Sequence, residues 1–237
     1  MRAGWLVIAL AGCGDNHHFN DHLAPYFDWN GQHTVGSVEI DGFAADDPAL
    51  LDLIPGHPDS VVMLYGHAPG STLNVDTLEA VLAAAQAAEM PFLTYGDLAA
   101  GGDARTGLCL SFDDNSFDAW FGSRDLLTRY SARVTFFITE YDEATAAEHA
   151  ELHALADDGH EIDAHTMRHL HGIDYVDEHG LEAYLQDEVI PSLDILVADG
   201  FPRPVAFAYP YGERTDEMDA AILEHVSIVR GISGSER

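Results

Sequence analysis

From residue 61 onward, short apolar runs alternate with longer stretches in which apolar residues recur every three or four positions. The runs VVMLY (61–65), GLCLSF (107–112), VTFFIT (134–139), HEIDAH (160–165), VAFAY (205–209) and VSIVR (226–230) have the length and the β-branched or aromatic content of strands. Between them the periodicity predicts helices over about 75–89, 116–131, 143–158, 178–199 and 215–225. Strands and helices that alternate in this way build a parallel sheet covered by helices, open or closed into a barrel. In either form functional side chains collect at the C-terminal ends of the strands. Residues 14–60 are rich in Asp, His, Gly and Pro without sustained periodicity, and predict a loop-rich lead-in rather than a second domain.

Composition adds environment rather than chemistry. The 237 residues hold 41 acidic against 10 basic side chains, a formal charge of −31, and every basic residue is Arg. Such a surface repels nucleic acid and anionic membranes and describes a solvated acidic shell. The first 13 residues contain one Arg, an apolar stretch over 4–11 and the sequence LAGC ending at Cys13. This pattern predicts an export signal, too short to span a bilayer, and resembles a bacterial lipobox with Cys13 as the lipidated residue. The expected location is the cell envelope or the extracellular space, with a membrane reached only through that anchor and the protein a monomer. Cys109, the other cysteine, sits inside an apolar run, so no disulfide framework is expected. His17, His18 and His22 are scattered near the terminus and read as solvated rather than as a metal site.

Three polar motifs close three of the strands: SFDD (111–114), HTMRH (165–169) and YPYG (209–212). Singly, each has a plain structural use. Asp114, Asn115 or Ser116 can cap the next helix, His165 and His169 can be surface histidines, and Pro210 can shape a turn. On one rim they acquire a joint chemistry. Two His four residues apart and one carboxylate make a three-ligand site for a divalent ion with positions left open, the catalytic rather than the structural type. The remaining carboxylate, beside the metal and not bound to it, is placed to take a proton.

In this order and spacing the motifs resemble those of the polysaccharide deacetylases, the NodB-homology domain of carbohydrate esterase family four. The resemblance runs from about residue 61 to 231 and includes GHEIDAHTMRH (159–169), FAYPYG (207–212) and the stretch at 78–101 before the first motif. It implies a distorted α/β fold, a (β/α) barrel, over 61–237, and a metal-dependent hydrolase that removes acetyl groups from N-acetylated, less often O-acetylated, polysaccharide. Residue by residue, it implies Asp113 as general base and Asp114, His165 and His169 as ligands of one divalent metal. That metal is expected to be Zn²⁺, with Co²⁺, Ni²⁺ and Fe²⁺ also suited to the donors. Tyr211 would give a backbone N–H to the oxyanion, with Pro210 shaping its loop.

Two departures from the family pattern stand out. The Arg that often opens the third motif and orients the base is missing: Phe207 and Ala208 stand there, with Arg203 and Arg214 only nearby. The late motif whose His protonates the leaving amine is also missing, and the chain ends after about six strand candidates. The expectation is therefore a barrel incomplete at its C-terminus, with His67 the residue to test if the acid is already in the chain. His225 reads as a helix-end residue. Two other classes are a non-catalytic carbohydrate-binding lipoprotein that keeps fold and metal, and a structural metalloprotein, the latter disfavoured by the spare carboxylate of the DD pair.

Overall fold

The computed structural model describes residues 26–27, 31–57, 59–101 and 105–233. The export segment with Cys13, and His17, His18 and His22, lie outside the described residues. Nine strands form one sheet: β1 (Tyr26–Phe27), β2 (Thr34–Glu39), β3 (Val61–Gly66), β4 (Phe92–Leu93), β5 (Gly107–Asp114), β6 (Thr135–Ile138), β7 (Glu161–Ala164), β8 (Ala206–Ala208) and β9 (Ile228–Ile232). Seven of them, in the order β3-β2-β9-β8-β7-β6-β5, return to β3 through a β3–β5 pairing and close a parallel barrel. β1 is antiparallel to β3, and β4 lies beside the start of β5. Two seams are thin: β2 meets β3 only at Val38↔Leu64 and Glu39↔Tyr65, and β7 meets β8 only at Ala164↔Phe207.

The α/β barrel is the expected fold, and the expected gap in it is corrected. The seventh strand comes from the segment read as a loop-rich lead-in: β2 stands between β3 and β9 and closes the ring. Its sequence, TVGSVE, mixes small and polar residues and so carries little apolar periodicity. Ser37 is nevertheless fully buried, on a face that points into the barrel.

Alternation along each strand sorts its side chains. Val62, Leu64, Leu108, Leu110 and Phe136 join the cluster under the helices, whereas Val61, Met63, Cys109 and Phe137 fill the barrel. Burial on both faces is why these strands read as unbroken apolar runs. Each such side chain contributes roughly 1.5–3 kcal/mol on burial. With both faces apolar, a one-residue slip is opposed instead by inward polar groups such as Asp113 and Arg230, whose ion pair it would break.

The helices depart from the expected spans where local chemistry interrupts them. The stretch read as one helix over 116–131 is two, Phe117–Gly122 and Arg124–Arg129, with the Ser123 hydroxyl donating back to the Ala119 carbonyl at 3.0 Å. The long helix expected over 178–199 is preceded by a helix at Gly172–His179 that ends at Gly180 (φ 90°). It then runs through Leu181–Tyr184, a π-turn at Leu185–Val189, and Ile190–Ala198. Pro191 accounts for the widened turn, since it has no N–H for the Asp187 carbonyl and its ring crowds that oxygen. Among the described residues no helix is long and apolar enough to cross a membrane.

Candidate active site

Asp113 and Asp114 end β5, His165 follows β7, Pro210 and Tyr211 follow β8, and His67 follows β3, so all stand on the C-terminal rim of the barrel. The backbone there is unusual. Of the seven non-glycine residues with positive φ among those described, Asp114, Glu140, Thr166, His169 and Tyr211 belong to this rim. Left-handed backbone at non-glycine positions is held only where the surroundings over-determine it, and such positions gather at functional sites.

The ligand atoms of Asp114, His165 and His169 lie within 4.8 Å of one another. From Asp114 Oδ1 the distances are 3.7 Å to His165 Nε2 and 3.2 Å to His169 Nε2. The buried His165 donates Nδ1–H to the Ala208 carbonyl at 2.8 Å, which leaves the Nε2 lone pair facing Asp114. Burial is the main cause that lowers His165 to about 4, so its ring is neutral, as a metal ligand requires. Burial opposes the charge on Asp114, but His169, His165 and His67 outweigh it and hold the carboxyl at about 2. Asp114 Oδ1 is nevertheless buried without a hydrogen-bond partner among the described residues. An orphaned carboxylate oxygen between two imidazole nitrogens fits a divalent cation.

The loop 165–169 is clamped from behind. Thr166 Oγ1 accepts the His169 N–H (3.0 Å). Glu188, set in the π-turn, receives the Met167 N–H on its own carbonyl (3.1 Å) and the Arg168 N–H on its carboxylate (2.9 Å). Glu188 is 3% exposed. The YPYG loop is fixed likewise: Tyr209 OH (2.8 Å) and Arg214 Nε (3.0 Å) both donate to Asp219 Oδ1, and Thr34 reaches its other oxygen. The Tyr211 ring stacks on His171 at 3.9 Å, and His171 is held by Glu213 at 2.8 Å.

Asp113 is not part of the ligand cluster. Its Oδ2 is ion-paired with Arg230 of β9, both side chains being fully buried, while Oδ1 has no partner among the described residues. The Arg missing from the third motif is thus replaced across the barrel. Arg203 pairs instead with Asp194, and Arg214 with Asp219. The one signal in the sequence was a lone Arg inside an apolar strand, at a position whose alternation points inward. Arg230 also lies over the Tyr65 ring at 4.6 Å.

Facing these groups is His67, whose Nδ1 lies 2.7 Å from Asp41 Oδ2. Burial works against its proton, but the Asp41 hydrogen bond and the charges of Asp113, Asp114 and Asp41 outweigh it and push His67 up to about 9. The imidazolium is therefore the resting form at neutral pH. Asp41 lay within the supposed lead-in and carried no signal of its own. Beside the cluster opens a polar cavity of about 330 Å³ lined by Asp114, Asn115, Thr139, Glu140, Arg168, His169 and Tyr211.

The sequence profile of polysaccharide deacetylases matches residues 101–226. No curated protein matches the chain significantly. Among solved structures, the deacetylase PplD of Streptococcus pyogenes, in complex with acetate, aligns with a TM-score of 0.54 at 20% identity, over 70% of this chain and 80% of its own. A polysaccharide deacetylase from Bacillus cereus, BC0361, aligns with a TM-score of 0.56 at 15% identity, over 86% of this chain and 60% of its own. At these identities the likeness is one of fold.

Proposed function

Since the chain belongs to the polysaccharide deacetylase family, we propose that it is a metal-dependent hydrolase that removes acetyl groups from an N-acetylated polysaccharide. The observation that carries this reading is the company of the three-ligand cluster: a carboxylate that is not a ligand, Asp113, and a histidine held protonated, His67. A purely structural metal site needs neither, and a carbohydrate binder needs no proton donor.

Asp114, His165 and His169 would hold the ion, which supplies Lewis acidity to the attacking water and to the acetyl carbonyl. Asp113 takes the water's proton on Oδ1, which has no partner among the described residues, while Arg230 fixes Oδ2. The Tyr211 backbone N–H, on its left-handed turn, is offered to the oxyanion. His67 donates from Nε2 to the departing amine, its ring aimed by the Nδ1 contact to Asp41. An amine leaves only when protonated, so a resting imidazolium favours N-acetyl over O-acetyl substrates. Acetate, found with the Streptococcus pyogenes deacetylase, is the product expected here. The apolar segment and Cys13 support export and a lipid anchor.

The test is acetate release from N-acetylglucosamine oligomers by the full chain loaded with Zn²⁺. Release that a chelator abolishes and Zn²⁺ restores is expected, as is its loss in Asp113→Asn with metal content unchanged. Silence on these oligomers and on acetylated xylan, with every divalent metal tried, would sink the reading.

A further inference from the structure

We propose that Glu39, Asp41 and His67 form a second divalent-cation site, and that filling it switches off the hydrolase. The inhibitory half rests on the function proposed above; the site itself does not.

The ligand set is an imidazole nitrogen and two carboxylates, with ligand atoms all within 4.8 Å of one another. His67 Nδ1 lies 2.7 Å from Asp41 Oδ2 and 3.8 Å from Glu39 Oε1. A tetrahedral ion with ligands at about 2.0–2.2 Å needs them roughly 3.4 Å apart, and the two distances bracket that spacing. The first cluster, at 3.2 and 3.7 Å, brackets it in the same way.

The strands build this arrangement. Glu39 and Asp41 are two apart and so share a face, and the pairing Glu39↔Tyr65 brings Asp41 level with His67. The His67 N–H donates to Asp41 Oδ1 (3.2 Å), and Trp120 Nε1–H anchors the His67 carbonyl at 2.6 Å. Gly66 leaves room for the approach: a Cβ there would stand 2.8 Å from Asp41 Oδ1. The Glu39 carboxylate is desolvated beside Asp41 and Asp113, and Tyr65 OH reaches it only at 3.5 Å. Arg230 is engaged by Asp113 and gives it no ion pair. Side-chain exposures of 26%, 10% and 35% for His67, Asp41 and Glu39 leave a path from solvent.

Binding exchanges one cation for another. The Nδ1 proton of the imidazolium leaves to solvent, and Nδ1 binds the ion together with one oxygen each of Asp41 and Glu39. The remaining Nε2–H belongs to a metal-bound neutral ring, a far weaker acid than imidazolium, so the amine is no longer protonated. Metal at the first cluster activates, and metal at the second inhibits.

The experiment titrates the full chain with Zn²⁺ and follows bound zinc by equilibrium dialysis and acetate release from N-acetylglucosamine oligomers. Wild type is expected to rise to full activity and then lose at least tenfold as a further equivalent binds. Glu39→Gln should keep the peak rate, bind one zinc fewer, and need at least tenfold more zinc for the same inhibition. Comparison with this variant also cancels any zinc held by His17, His18 and His22. Glu39→Ala checks that the change follows loss of the carboxylate. Equal zinc uptake and equal inhibition in wild type and both variants would overturn the second site. If no acetate is released at any zinc level, the hydrolase reading fails, and the dialysis difference still decides whether the second site exists.

Discussion

At the scale of single residues, the buried Asp113–Arg230 pair joins stability to the proposed chemistry. Removing one partner of a buried ion pair leaves an uncompensated charge, at a cost of about 3–5 kcal/mol. Arg230→Met should therefore destabilise strongly as well as abolish activity, whereas adding Asp113→Asn should restore most of the stability and none of the activity. Denaturant titration of the four members of this double-mutant cycle measures the coupling. Additivity within about 0.5 kcal/mol would mean that the pair is not interacting as described. His67 gives a pH signature. Its raised pKa predicts that kcat/KM falls as pH rises through a limb at or below about 9, since a bound cation offsets part of the Asp114 charge that raises it. Asp41→Asn should move that limb down toward the ordinary histidine value. A limb that stays in place would remove His67 from the role of acid. The sign for stability is the same: the folded chain holds this proton more tightly than the unfolded one. The contribution is full below the unfolded value near 6.5 and is gone above about 9.

At the scale of elements, the π-turn at Leu185–Val189 acts on the loop that carries two proposed ligands. A regular α-helix would turn Glu188 away, since one residue fewer per wide turn rotates everything beyond it by about 100°. Glu188→Ala should release the Arg168 N–H, and so loosen the loop that carries His165 and His169. Loss of such outer support typically lowers metal affinity about 10- to 100-fold, and competition with a chelator dye would measure it. Glu188→Gln, which keeps an acceptor for Arg168, should recover part of the affinity. A lower melting temperature of the metal-free chain with unchanged zinc affinity would make Glu188 a packing residue only.

For the whole molecule, a net charge of −31 on 237 residues makes self-repulsion a general destabilising term. At 1 M salt the Debye length falls to about 3 Å, which screens most surface acids from one another. The melting temperature of the metal-loaded chain should therefore rise between 0.05 and 1 M NaCl, and a gain of about 1–2 kcal/mol corresponds to roughly 2–8 °C at this size. A flat or falling profile would show that self-repulsion among the surface acids does not limit the stability. The same charge favours cationic over anionic glycans at long range, an effect that salt should weaken.

The sequence by itself determined what lies along the chain: the alternation of strands and helices, the two carboxylates ending β5, and the two histidines four residues apart after β7. Each depends on spacing within a single element, which periodicity and local chemistry record directly. Only the tertiary structure decided what lies across the barrel. Asp113 and its Arg230 are 117 residues apart, and Asp41 and His67 are 26 apart. Neither pair exists until β2 closes the ring and brings β9 and β3 alongside it. The closing strand carries little apolar signal because its inward face is Val35 followed by Ser37 and Glu39, where burial comes from its neighbours rather than from its own hydrophobicity. A strand of this kind is specified by the gap it fills, and that gap is a property of the folded barrel.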